Sequence, residues 1–269
     1  MLVISTSNTS EAILAAVQAG QSLSEQDFYQ FDFQGLALPG AILSKAILVR
    51  SNLEKTQLKG ANLAGADLRA ASLRHACLVD ADLEGACLYR ADLSGADLRA
   101  ANLTDAQLKG ARYDSQTIFP EGFAHTSSGA IGPGANLNGA ALNTANLSQA
   151  DLQEANLLGA YLGGAVLTRA NLKGARLVQA DLRRAVLTGA CLRNARLNGV
   201  NLAGVDLRAA DLTDAAFQEF ESIAGADFSL AQGLTKDMKT ILLSHPAPQL
   251  DVMHPLTRTT TRTSLERSA

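Results

Sequence analysis

The chain has 269 residues and a net charge of −3, lacks Trp, and draws only 4% of its residues from the aromatics. That length allows one large domain or two smaller ones, but an ordinary globular core of this size would use more large side chains. The near-balanced charge argues against direct nucleic-acid binding, which draws on an excess of Lys and Arg.

Residues 1–10 hold no basic region and no long apolar run, so no signal peptide is read. No segment reaches the ~18–20 apolar residues of a membrane span. Cys77, Cys87 and Cys191 show neither a CxxC pair nor a metal spacing. An odd, widely spaced set fits a reducing compartment, which makes the cytoplasm the expected location. Thr9 to Gly20 reads as a short helix, with Thr9 or Ser10 as cap, Glu11 in the first turn and Gly20 at the end. Ile13, Leu14 and Val17 form its apolar face. Residues 1–25 are therefore expected to cap whatever follows.

From Ala61 to Ala111 the chain reads in fives: Leu63, Leu68, Leu73 and so on to Leu108, with Ala two residues before each. Neither the helical nor the strand period gives a strict five, so this is a repeat architecture. Leu and Ala two apart lie on one side of an extended backbone and can both point inward, with Asp or Asn between them pointing out. Small or polar residues in the last two positions suit a corner. The frame begins earlier, at Phe28 and Phe33, and runs to Tyr113. It restarts at Leu137 and continues to Leu212 and Phe217.

This Ala-(Asp/Asn)-Leu-X-X pattern resembles the pentapeptide-repeat family over roughly Gln26 to Gln218. The resemblance implies an all-β solenoid, a right-handed quadrilateral β-helix with four units per coil. It also implies one of two kinds of function: inhibitory binding to DNA topoisomerases, or scaffold and regulatory roles. In that model Cys77 and Cys87 lie half a coil apart on opposite faces and should not bridge.

The expected organisation follows: a capping helix over residues 1–25, a first repeat block over 26–113, and a second over 135–229. A C-terminal capping helix is read over 230–245, with Thr235 as its N-cap, and a disordered Thr/Arg/Ser-rich tail over 246–269. Residues 114–134 are rich in Gly and Pro. Leu137 lies 24 residues after Tyr113, not 25, so this segment is expected to loop out as an extruded connection. Its Tyr-Asp-X-X-Thr-X-Phe-Pro-X-Gly-Phe run resembles a loop found in cyanobacterial pentapeptide proteins.

No catalytic constellation emerges. His75, His125, His245 and His254 belong to no HExxH or related pair. Gly129 to Gly134 lacks the Lys and the flanking elements of a phosphate loop. The many Asp residues take the outward repeat position, and a convex wall offers no water-poor pocket. The reading is a non-enzymatic scaffold, without cofactor or metal, that binds an unidentified protein as a monomer or lateral dimer. The alternative is a DNA-mimicking inhibitor or protector of DNA gyrase or topoisomerase. Such mimicry needs dense negative charge. Here one wall of the second block carries Asp151, Glu154, Asp211 and Asp214 against Lys173 and Arg193, while Arg50, Arg69, Arg90 and Lys109 share a first-block wall with Asp27 and Asp67. The candidate partner surface is an outward cluster that departs from polar usage: Leu158, Tyr161, Val166, Val178 and Val186, bordered by Arg183 and Arg184.

Overall fold

The computed structural model describes residues 9–268. The reading of residues 1–8 as leader-free lies outside them. The chain forms two compact units, residues 9–131 and 132–268 among those described. Both are coils of twenty residues. Isolated parallel bridges join outward positions twenty apart, as in Ile42, Asn62, Asp82 and Asn102 of the first unit and Asn146, Val166, Val186 and Asp206 of the second.

Each five-residue side is built the same way. Leu and the Ala two residues before it point inward; Leu63, Leu93, Leu167 and Leu187 are all 0% exposed. The corner is a β-turn, such as Leu63 to Ala66, where the Ala66 N–H donates to the Leu63 carbonyl at 2.9 Å. The third turn residue, Gly65, has φ 65°, the left-handed value such a turn requires. Asp or Asn at the outward position tightens the corner, because its carboxyl or amide oxygen accepts the N–H two residues on, as Asp82 does from Glu84 at 3.1 Å. Corner side chains lean onto the glycine of the next coil. A Cβ on Gly95 would collide with the His75 ring, and one on Gly233 with the Thr213 backbone.

Helix α1 is Ser10–Gln18, capped by the Thr9 hydroxyl, which accepts from the Ala12 N–H at 3.2 Å. Ile13 and Ala16 are its buried residues, so the apolar face is rotated slightly from the expected Ile13, Leu14 and Val17. Phe28, Phe31 and Phe33 pack edge-to-face within the first coil, with centroids 4.6–6.0 Å apart.

The segment expected as an extruded loop over 114–134 is only partly out of the ladder. Ile118 bridges Asp97, and Ile131 bridges Arg112, both within the first unit. The extra residue is absorbed by side chains. The Gly95 N–H donates to Asp114 Oδ1 at 2.9 Å and Thr117 Oγ1 at 3.2 Å, in place of a backbone carbonyl. Phe119 stacks on His125 at 4.6 Å and meets Tyr113 edge-on at 5.3 Å, so the segment carries its own small aromatic core.

The second unit holds the short parallel pair β1 (Val200–Asn201) and β2 (Phe220–Ser222), where a bulge admits one extra residue. Helix α2 is Lys236–Leu243, capped by Thr235, whose hydroxyl accepts from the Met238 N–H.

The expectation of a disordered tail over 246–269 is corrected. Helices α3 (Ala247–Leu250) and α4 (Thr261–Glu266) form there, and Thr261, Ser264 and Leu265 are buried. The last coil has no successor to bond its open edge, and the tail supplies the partners. The Phe228 N–H donates to Ser264 Oγ at 3.1 Å, Ser264 Oγ reaches Ala226 O at 3.4 Å, and the Leu230 N–H donates to Arg267 O at 3.1 Å. Thr261 Oγ1 donates to Ile223 O at 3.0 Å, and the Ile223 N–H donates to Gln249 Oε1 at 3.3 Å. A composition with little to bury hydrophobically thus packs through its polar groups, which pair an otherwise exposed strand edge.

Candidate partner surface

With Leu and Ala inside, everything available to a partner sits at the outward positions and corners. Four outward aspartates are locally neutralised by an Arg two residues on. The pairs are Asp67–Arg69 at 2.6 Å, Asp97–Arg99 at 2.6 Å, Asp181–Arg183 at 2.7 Å and Asp206–Arg208 at 2.8 Å. The spacing puts both side chains on one wall, where the guanidinium can grip the carboxylate with two nitrogens. The Arg69, Arg99 and Arg183 side chains hold their aspartates below the usual carboxylate range.

Asp206 differs because it is 2% exposed. Burial pushes its carboxyl up, but hydrogen bonds from the Arg208 side chain and backbone outweigh this and hold it low. A lowered carboxyl contributes stability above its unfolded-state value of about 4, and that contribution is lost as pH falls through the folded value. Arg208→Ala should therefore lower stability at neutral pH by about 1–3 kcal/mol, with the deficit shrinking below about pH 4. Urea midpoints across pH check this, and equal midpoints at neutral pH would contradict it.

The structure places the five predicted surface residues as follows. Val166 and Val186 are bridge partners on one wall. Leu158 and Val178 stack on another, where the Gly159 N–H donates to the Val178 carbonyl at 2.9 Å. Tyr161 stands on the wall between them, bridging Ala141 and Asp181, and is 54% exposed. The other four are half-buried. Leu158, Val178 and Tyr161 thus flank one corner, at Gly159. Val166 and Val186 lie beyond the next corner, past Gly163 and Gly164.

A second set went unread in the sequence. Tyr29, Ile42 and Ile47 of the first unit are 51%, 38% and 40% exposed. Their signal was present in the degenerate early repeats: Ile42 and Ile47 take outward ladder positions, and Tyr29 takes the first corner position after Phe28. The Arg50 guanidinium reaches Tyr29 Oη at 3.4 Å.

An interior void of about 10 Å³ in the second unit is lined by apolar groups, among them Leu187, Leu207, Phe217 and Phe228. That is room for about one water at most, with no polar partner to hold it. Among the described residues no cluster of three or more His, Cys, Asp or Glu could hold a metal ion. Cys77, Cys87 and Cys191 are free thiols. No described helix is long and apolar enough to cross a membrane.

A family model described as pentapeptide repeats matches in eight copies, over residues 27–63, 51–89, 76–112, 134–169, 165–202 and 190–219. This chain belongs to the pentapeptide-repeat family. Among solved structures, this pentapeptide-repeat chain resembles a pentapeptide repeat protein (Rfr23) of the cyanobacterium Cyanothece 51142. Identity is 37% and the TM-score 0.25, over 36% of this chain and 63% of that one. It also resembles HetL, a pentapeptide repeat protein involved in heterocyst differentiation regulation in Nostoc sp. strain PCC 7120. There identity is 28% and the TM-score 0.28, over 85% and 99% of the two chains. QnrB1, a plasmid-mediated fluoroquinolone resistance protein, is 16% identical over 74% of this chain and 92% of its own, with a TM-score of 0.21. With scores this low, membership rests on the repeat match. No curated protein matches the chain.

Proposed function

We propose that this pentapeptide-repeat protein is a non-enzymatic scaffold that binds a protein partner in the cytoplasm, through the second unit. In this reading the coils wind right-handed, as is usual for the family. The observation that carries it is the half-exposed ring of Tyr161, which stands beside the corner carrying Leu158 and Val178, on walls whose other outward residues are mostly polar. A large amphipathic ring with apolar neighbours is the kind of anchor that protein interfaces use. A DNA-mimicking role draws less support, because Arg193 pairs with Asp211 at 3.3 Å and thins the one acidic wall.

The test is Tyr161→Asp combined with Val186→Lys. Both positions face outward, so the fold should survive, as a circular dichroism melt would show. Pull-downs from the source cell with parent and variant as bait should then differ by the loss of specific proteins. An identical set of bound proteins would overturn the proposal.

A further inference from the structure

We propose that the wall bearing Arg176 and Arg196 receives an acidic polypeptide segment that also carries apolar side chains; this rests on the scaffold reading above and names the partner's chemistry. Outward ladder positions elsewhere mostly set compatible neighbours together: Asn52 donates to Asp32 at 2.9 Å, Asn102 to Asp82 at 3.0 Å, and Asn171 to Asp151 at 3.0 Å. The bridged Asp206 and Asp227 share a sign, but Arg208 pairs with Asp206 at 2.8 Å. On this wall Arg176 bridges Arg196 directly. Strands lie about 4.8 Å apart, and like charges set opposite one another there are destabilising.

Among the described residues no carboxylate pairs with either arginine. The residues bridged beyond it in the same row are Asn156 and Ala216. Unlike Arg69, Arg99, Arg183 and Arg208, neither arginine has an Asp two residues before it. Glu154 and Asp214 stand at the corner that leads into this wall. Among the described residues, neither they nor any other carboxylate comes within ion-pair distance of Arg176 or Arg196. Arg184 makes no ion pair among the described residues, and its stem lies over Gly204. The nearby Asp181 is taken by Arg183.

A local rule broken without compensation within the chain is expected at functional sites. An acidic partner would relieve the repulsion. Leu158 and Val178 share the wall with the two arginines, and Tyr161 stands around its corner, so an acidic segment alone would leave apolar surface unused. A single-stranded nucleic acid fits less well, since it needs a series of stacking rings along a basic groove, and this face offers one exposed ring.

Fluorescence anisotropy with the full-length protein tests the inference. The probes are a labelled peptide of alternating Glu and Phe, its Lys and Phe counterpart, and an oligothymidylate. The Glu/Phe peptide should bind best and weaken with added salt. Arg176→Glu with Arg196→Glu should lose about tenfold or more in affinity, while Arg90→Glu in the first unit should change it little. Both arginines are exposed, so an unchanged melt would establish that the double variant is folded. Equal binding by parent and double variant, equal binding of the Lys/Phe peptide, or tighter binding of the oligonucleotide would each overturn the proposal. Pull-downs separate the two levels. Partners lost with Tyr161→Asp but kept by the double variant would leave the scaffold standing and remove the acidic partner.

Discussion

Leu93→Lys should leave no folded protein at neutral pH. Leu93 is 0% exposed, and its column neighbour Leu73 and the Leu98 of the adjacent side are as deeply buried. A Lys there must bury an ammonium without a partner or give up its proton, and either choice costs on the order of 5 kcal/mol. Leu93→Met keeps volume and polarity and should lose less than about 1.5 kcal/mol. Comparing the two by soluble yield and thermal melt isolates the charge from the packing. A Lys variant that melted with the parent would contradict the inward Leu column.

Removing residues 256–269 should also be severe, though the damage should be local. The truncation takes away Thr261, Ser264 and the Arg267 carbonyl, which together satisfy Ile223, Phe228 and Leu230, along with Leu265, which is 2% exposed. At about 1 kcal/mol for each hydrogen bond and about 2 for Leu265, the loss is about 4–6 kcal/mol, or a melting temperature lower by about 10 °C. Each coil bonds only its neighbours, so hydrogen exchange should quicken at Phe228 and Leu230 while Leu167 and Leu187 stay protected. A truncated protein with an unchanged melt and unchanged protection would show that the tail's contacts carry no weight.

These two regions show where the sequence was readable. The Leu column follows from the five-residue spacing alone, because only one side of each short strand can face the interior. The caps Thr9 and Thr235 were likewise visible, since a hydroxyl before a helical stretch has a specific backbone donor to meet. The tail was misread because Thr, Ser and Arg look unburiable by composition, whereas here their polar groups replace a missing strand. The one-residue slip near Ile118 required a compensating device, but that Asp114 and Thr117 supply it could be seen only with Gly95 beside them. The partner surface was half legible. Outward Leu158, Tyr161 and Val178 were plain, yet wall-by-wall charge counting overlooked that an Asp-Leu-Arg run cancels itself. Only with those pairs removed do Arg176 and Arg196 stand out.

Coils that repeat every twenty residues but are built from sides of five have a consequence for how such a chain can change its exterior. Deleting one whole side leaves the interior matched, Leu over Leu and Ala over Ala, yet turns every later residue a quarter of the way round. Without residues 155–159, Arg176 would rest on Asp151 instead of Asn156, and a carboxylate would meet it from below. Gain or loss of a single side therefore exchanges the neighbours that meet across that junction on every wall at once, so a binding face can appear or vanish there without one substitution in the core.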